Sequence, residues 1–333
     1  MIHLLVILKP MKIGKINPGI LNKYVFEPLQ KLAQRPETIL RPKLGEDCAV
    51  LEIQDQILLS VDPITGAASD VGYLAVHINA NDIAASGGEP VGIMLTVLLP
   101  PYAGEDMLDE IMSGVLRAAA ETGIDLLGGH TEVTGAVTRP VVSAAIIGRA
   151  KKAIATSSAM PGDELIMTKF AGLEGTIIIV RERTELAKKL DIYEAVIARA
   201  AEISIQREAA IAVEFGVTAM HDITEGGVLG ACYEMAQSSG NGVFLSLDDV
   251  PVLEETHILC NELGLDPYKL VSSGSLLAAT RDGKALAMRL NKAGIPAKVI
   301  GRITEGGKIY RIGATEYELP EPQSDEIYKM TPE

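Results

Sequence analysis

The stretch that decides the fold is His77-Ile-Asn79-Ala-Asn81-Asp82-Ile-Ala-Ala-Ser86-Gly87-Gly88-Glu89-Pro90, with the apolar run 91–99 directly behind it. Three side chains with amide or carboxylate heads (Asn79, Asn81, Asp82) stand among small residues, and two glycines follow. If the approach is extended, positions 77, 79 and 81 share one face. Asp82 then caps a short helix over 83–86, and Gly87-Gly88 turns the chain into a strand. The plainer alternative is a cap and a turn with no further role, since Asp and Asn are common caps. What favours a site is repetition: other windows pair an aspartate with glycine at the ends of apolar, strand-like runs.

Working outward, Gly45-Glu46-Asp47-Cys48-Ala49-Val50 opens a strand, and the run 57–61 ends in Asp62-Pro63-Ile-Thr65-Gly66. Pro63 keeps Asp62 extended. Apolar residues recur at helical spacing over 20–32 and over 108–119, the second helix stopped by Gly123. A short strand at 124–127 runs into Gly128-Gly129-His130-Thr131-Glu132, and 141–149 is another strand. Ser, Ala, Pro and Gly collect over 151–162 and break the pattern. Beyond them the spacing predicts strands at 164–169, 217–220, 243–247 and 275–280, and helices at 191–201, 204–215 and 228–237. The strand at 217–220 ends in His221-Asp222-Ile-Thr-Glu225-Gly226-Gly227. Alternation of this kind predicts an α/β protein (α+β layers) of two domains, 12–150 and 160–320, with tails 1–11 and 321–333. Each half also closes a strand on Ile-Gly-Arg (147–149 and 300–302), a faint sign of duplication.

Composition narrows the function. In 333 residues, 47% are hydrophobic and the net charge is −14, which argues against nucleic acid or an anionic membrane surface as partner. An anionic substrate would instead be held through a divalent metal. The three cysteines lie far apart without CxxC spacing, as expected in a reducing cytoplasm. Residues 1–10 are apolar but lack a basic leader and a cleavage site, and Met11 reads like a natural start. No run is long enough to span a membrane.

Asp47, Asp62 and Asp82 stand where apolar strands meet turns; if those strands neighbour one another, the carboxylates converge on one edge of one sheet, and Asp222 could be a further metal ligand. Like charges so gathered destabilise a fold unless a cation neutralises them. Hard oxygen ligands of this kind select Mg²⁺, usually together with phosphate oxygens. Asn79, Asn81, Gly128, Gly129, Gly226 and Gly227 are the candidate nucleotide contacts, the glycines because they let backbone N–H groups approach phosphates. Lys169 is either a surface lysine or a charge for phosphate. His130, Glu132 and His221 are the candidates for proton handling. Each has a plain alternative: Asp222 with Glu225 makes a capping box, His221 can be a buried imidazole, and 128–132 can be a loop. Neither GxxxxGK[ST] nor GxGxxG occurs, which excludes a Walker or Rossmann site.

Taken in order, Gly45-Glu-Asp-Cys-Ala-Val, Ser60-Val-Asp-Pro, Asn81-Asp-Ile-Ala-Ala-Ser-Gly-Gly, Gly128-Gly-His-Thr and His221-Asp-Ile-Thr-Glu-Gly-Gly resemble the PurM-like, or AIR synthase-related, superfamily. The resemblance covers about 12–312, and Leu263-Gly-Leu-Asp-Pro-Tyr-Lys-Leu-Val-Ser-Ser-Gly looks most like its hydrogenase-maturation (HypE-like) branch. It implies an N-terminal ATP-binding domain whose sheet pairs with a second subunit as a homodimer, and a C-terminal α+β domain. It implies ATP and Mg²⁺ as cofactors, and phosphoryl transfer that activates an amide-type or other oxygen of a small molecule or peptide. By the same likeness Asp47, Asp62, Asp82 and Asp222 fall on metal–nucleotide positions, and Gly226-Gly227 on the substrate side. Two departures stand out. The HypE-like reaction uses a terminal cysteine, whereas this sequence ends Lys329-Met-Thr-Pro-Glu333, so that reaction is not expected in its usual form. His130 also stands where the superfamily commonly has an acid; either Glu132 substitutes for it or the metal site holds one carboxylate fewer. The alternatives are a nucleotide-binding maturation or scaffold protein with reduced catalysis, and a small-molecule kinase resembling thiamine-monophosphate kinase. Pro-Ile-Thr-Gly-Ala after Asp62 weakens the kinase reading.

Overall fold

The computed structural model describes residues 11, 14–15, 18–41, 50–64, 70–322 and 324–330. Asp47, with the rest of its window through Ala49, lies outside them, as do Thr65-Gly66 and residues 1–10. The described chain falls into two compact units, Met1–Ala80 with Pro90–Arg149 and Asn81–Glu89 with Ala150–Glu333.

The first unit is built on five strands in the order β1-β6-β5-β7-β4. These are β1 (Gly14–Lys15), β4 (Gln56–Ile64), β5 (Glu89–Leu99), β6 (Asp125–Val133) and β7 (Val141–Ala150). A separate ribbon pairs β2 (Thr38–Leu40) with β3 (Val50–Leu51). The helix expected over 20–32 is three short pieces: α1 (Pro18–Leu21), a π-helical turn Asn22–Phe26, and α2 (Glu27–Leu29). The chain after α2 is tied to the start of β6 by Asp125, which is buried and accepts from Arg35 N (3.0 Å), Thr38 Oγ1 and Arg41 Nη2 (2.5 Å). Two long helices, α3 (Val71–Ala85) and α4 (Glu105–Thr122), belong to this part of the chain. α4 is amphipathic as the spacing predicts, burying Leu108, Ile111, Met112, Val115 and Ala119, and Gly123 ends it in the left-handed conformation (φ 69°). The parallel step from β5 through α4 to β6 accounts for the long apolar β5, whose Ile93, Leu95, Val97 and Leu99 are buried.

α3 overturns the extended reading of 77–81. His77, Asn79, Asn81 and Asp82 all lie on one helix, and Asp82 is in its last turn, where its carbonyl accepts from Ser86 N (3.0 Å), instead of capping a new one. The reason is burial on every side: residues 71–81 are all buried, so the helix carries no amphipathic stripe, and its polar residues at alternate positions imitate a strand. α3 and α4 also approach more closely than side chains allow. A Cβ on Gly72 would sit 2.1 Å from the Ile111 carbonyl oxygen, and one on Gly114 would sit 3.0 Å from Tyr73 N.

Gly129 has a structural task of its own. Beside the register shift between β5 and β6, its φ is 147°, and a Cβ would lie 1.9 Å from the Leu95 carbonyl oxygen. Gly129→Ala is expected to cost about 3 kcal/mol through overpacking and backbone strain. Urea denaturation of the purified variant measures it, and an unchanged midpoint would contradict the packing just described.

The second unit holds a seven-stranded mixed sheet, β14-β13-β10-β12-β8-β11-β9. Its strands are β8 (Glu164–Thr168), β9 (Ala219–Ile223), β10 (Gly242–Ser246), β11 (Ser275–Thr280), β12 (Ala297–Thr304), β13 (Lys308–Ile312) and β14 (Thr315–Glu318). Its helices are α5 (Leu173–Glu182), α6 (Thr184–Lys189), α7 (Tyr193–Ile197), α8 (Gln206–Phe215), α9 (Gly227–Ser239), α10 (Glu254–Leu263) and α11 (Gly283–Lys292). One sheet face packs on α9 through Leu165, Met167, Leu245 and Leu277 against Val228, Cys232 and Met235. The other packs Ile166, Met220, Leu276 and Ala278 on α8 and α11, and Ala84 and Ala85 from the end of α3 join that cluster. α5, α7 and α10 share a third cluster around Leu173, Ile177, Val196, Leu259 and Leu270. The helix expected over 191–201 is α7 followed by a 3₁₀ turn, Ala200–Ile203. No helix among the described residues is long and apolar enough to cross a membrane.

Candidate functional site

The aspartates do not share one sheet, and the expectation that strand ends gather them there is corrected. Asp62 lies on β4, the last strand of the first sheet, Asp222 lies on β9, the last strand of the second, and Asp82 is helical. Within the second unit, strand alternation sorts the rest. Asp222 stands opposite Leu276, on the face that α8, α11 and the end of α3 cover. Asp82, in that same end of α3, is therefore carried to the same side of the sheet as Asp222. His221 stands opposite Leu277, on the α9 face, where its Nε2 lies 2.9 Å from Glu234 Oε2. A neighbour in sequence thus becomes a residue of the opposite face, because successive strand side chains alternate. Burial opposes charge on the His221 imidazole, but the Glu234 hydrogen bond and the carboxylates of Asp222 and Glu234 outweigh it and raise its pKa. Glu234 carried no signal in the sequence, being thirteen positions away on an element whose orientation depends on the core.

The two asparagines prove to be holders. Asn79 is fully buried: its Oδ1 accepts from Asp62 N (3.0 Å), and its Nδ2 donates to Ala75 O (2.8 Å) and Asp62 O (3.4 Å). It fixes the backbone that carries the Asp62 carboxylate. Asn81, also fully buried, donates to Ile203 O and accepts from Ile205 N, both at 2.9 Å. That pair of bonds secures the turn of α3 from which Asp82 projects. With their amides so engaged, direct nucleotide contact gives way to positioning.

Lys169 is corrected most sharply. It is buried in a left-handed conformation (φ 51°), and Nζ donates to the carbonyls of Glu202 (2.8 Å), Ser204 (2.6 Å) and Gly274 (2.8 Å), with Glu208 Oε1 at 2.6 Å. An ammonium has three protons, and three carbonyls take them. A phosphate finds no donor there.

His130 and Glu132 pair with each other (3.1 Å) and stand opposite Thr96 and Leu98 of β5. These share the side of the first sheet on which Met94 is exposed. The glycine pair at 226–227 opens α9. Gly227, with φ 61°, leaves no room for a side chain, since a Cβ would sit 2.5 Å from the Tyr268 carbonyl oxygen. Gly226 N donates to Asp325 Oδ2 (2.7 Å) from the C-terminal segment. Neither Asp325 nor Glu174, another buried acid near this loop, was singled out from the sequence, although Glu174-Gly175 repeats the acid-plus-glycine signature.

As a metal centre, the arrangement fits Mg²⁺ shared with phosphate better than an all-protein cage. Among the described residues no three His, Cys, Asp or Glu side chains are placed to hold a metal. Mg²⁺ needs only one or two carboxylates when phosphates complete its shell, and Asp82 and Asp222 are the candidates for that role in the second unit.

Comparison with known proteins agrees with this architecture. The model of the AIR synthase related protein N-terminal domain matches residues 45–150, and that of the C-terminal domain matches 160–313. The carbamoyl dehydratase HypE of Rhodobacter capsulatus is 30% identical over 253 residues, 73% of this chain and 72% of that protein. The selenide, water dikinase of Caldanaerobacter subterraneus is 30% identical over 296 residues, 79% of this chain and 82% of that one. A crystal structure of the hydrogenase maturation protein HypE in complex with ATP superposes with a TM-score of 0.78 at 23% identity, covering 94% of this chain and 97% of that chain.

Proposed function

The chain belongs to the AIR synthase related protein family, and from that membership we propose that it uses Mg-ATP to phosphorylate, and so activate, an amide-type or other oxygen of its substrate. The observation that carries the reading is the common side of Asp82 and Asp222 on the second sheet. The relatives support it by their chemistry: one is a carbamoyl dehydratase, another a dikinase, and a HypE structure contains ATP.

In this reading Asp82 and Asp222 would hold the metal–nucleotide in the second unit. Magnesium would neutralise charge on the phosphates as the γ-phosphoryl group transfers. The chain's own contribution is positioning: Asn81 fixes the helix end of Asp82, and the packed sheet fixes Asp222. Such positioning and charge neutralisation supply most of the catalysis in phosphoryl transfer. Product analysis by ³¹P NMR, with Mg-ATP and a panel of carboxamides and carbamoyl compounds, tests the proposal. ADP and orthophosphate formed only with a substrate present are expected. A stable phosphate ester would mark a kinase instead, and Mg-ATP binding without turnover under any condition would favour a scaffold.

A homodimer through the first sheet belongs to the same proposal. Ile57, Leu59 and Val61 are 57%, 73% and 62% exposed on one face of β4, and Met94 of β5 is exposed as well. An apolar row of this kind marks an interaction surface. A dimer formed on it would cover the His130–Glu132 pair, which stands opposite Thr96 and Leu98 beside Met94. Leu59→Glu is expected to weaken dimerisation by about 2–3 kcal/mol, the value of one large buried side chain, or roughly 100-fold in Kd. Sedimentation velocity across a dilution series measures it; a wild-type protein that is monomeric at every concentration would refute the interface.

A further inference from the structure

The C-terminal residues 324–330 close over the loop that opens α9. Asp325, almost wholly buried, accepts from Gly226 N (2.7 Å) and from Ile327 N (2.9 Å). Tyr328 donates its hydroxyl to Glu225 Oε1 (2.6 Å), and Glu326 Oε2 accepts from Asp266 N (3.1 Å) while pairing with Lys329 (2.7 Å). Ile327 and Met330 pack on the cluster that contains Leu173 and Ile177 of α5. Beneath lies Glu174, in the first turn of α5, 5% exposed. It takes hydrogen bonds from Ser273, yet its Oε2 is buried with no hydrogen-bond partner.

A carboxylate oxygen buried without a donor is costly, whereas a carboxylic acid in the same place carries no charge to solvate. The charged groups acting on Glu174 are Asp325 from the terminal segment and Glu225 from the loop before α9, both acidic. Two further carboxylates therefore penalise its ionisation, and one of them is the group that clasps Gly226. We propose that Glu174 and Asp325 form a proton-operated latch, in which the terminal segment stays closed over Gly226 while Glu174 carries a proton and loosens when both carboxyls are ionised.

The sign follows from the direction of the shifts. Burial, ahead of the neighbouring acids, pushes Glu174 up to about 7, and burial likewise raises Asp325. A carboxyl raised in the closed state stabilises that state at low pH, and the contribution is lost as pH rises through the raised value. The closed segment should therefore be tightest near and below the ordinary carboxylate value of 4.5, loosen progressively above it, and be loosest above about pH 7. This inference rests on the packing of 324–330 over Gly226 and on the partnerless Glu174 Oε2, and stands apart from the nucleotide reading.

Hydrogen exchange of the full chain from pH 5.5 to 8.5, corrected for intrinsic rates, tests it. Protection of the Gly226 amide and of residues 324–330 is expected to fall at least tenfold across that range. Glu174→Gln, which mimics the protonated acid, should keep protection high throughout. Asp325→Ala should leave Gly226 unprotected at every pH, and it decides the matter if the glutamine variant fails to fold. Flat protection in the wild type, a persisting pH drop in Glu174→Gln, or a protected Gly226 in Asp325→Ala would each overturn the latch.

Discussion

Lys169→Met is expected to lower stability by about 3–5 kcal/mol, the cost of leaving one member of a buried ion pair alone. At two to four degrees per kcal/mol for a domain of this size, the melting temperature should drop by roughly 10 °C or more. The loss has two parts. Glu208 would be left as a buried carboxylate without its cation, and the carbonyls of Glu202, Ser204 and Gly274 would lose their shared donor. Combining Lys169→Met with Glu208→Leu should restore part of the stability, because an apolar pair of similar volume removes the unpaired charge. Differential scanning calorimetry of the single and double variants provides the cycle. If Lys169 instead held phosphate, the single variant would melt like the wild type and lose only nucleotide affinity.

Asp82→Asn should behave in the opposite manner, with little change in melting temperature and a large loss of turnover. Asp82 is half-buried at the end of α3, and Asn81, rather than Asp82, ties that turn to Ile203 and Ile205. Asparagine keeps the shape and removes the charge, so the fold should persist. Even groups that merely orient metal ligands change metal affinity or activity 10–100-fold when replaced. Removing the proposed ligand should therefore reduce Mg-ATP turnover by at least roughly 100-fold. Steady-state ADP release, with circular dichroism as the fold control, checks the outcome. Full activity in Asp82→Asn would remove this residue from the site, and wild-type turnover insensitive to chelation of Mg²⁺ would remove the metal.

Much of the layered architecture was legible in local pattern. Gly123 and Gly216 end α4 and α8 in left-handed conformations, as their positions behind helical periodicities imply. The strands over 57–61, 91–99 and 141–149 appear as β4, β5 and β7 within a few residues. The helical state of 77–82 was not legible, because a helix buried all round keeps no periodic stripe and its polar residues fell by chance on alternate positions. Nor was the fate of Lys169. Its partners are 33 to 105 residues distant, and only the folded chain brings three carbonyls to one ammonium. The separation of His221 from Asp222 was available in principle from strand alternation. Which face each would take depended on the packing of α9 and α8, which local sequence does not encode.

The last turn of α3 has a consequence for modularity. Residues 81–89 belong with the second unit, bringing Asn81 to Ile203 and Ile205 and adding Ala84 and Ala85 to the cluster beneath α8 and α11. The two family domains are therefore not exchangeable cassettes. A gene fusion or fragment joined at residue 150 would carry off a piece of the second body inside the first, so recombination between relatives at that seam has to preserve a helix encoded well upstream of it.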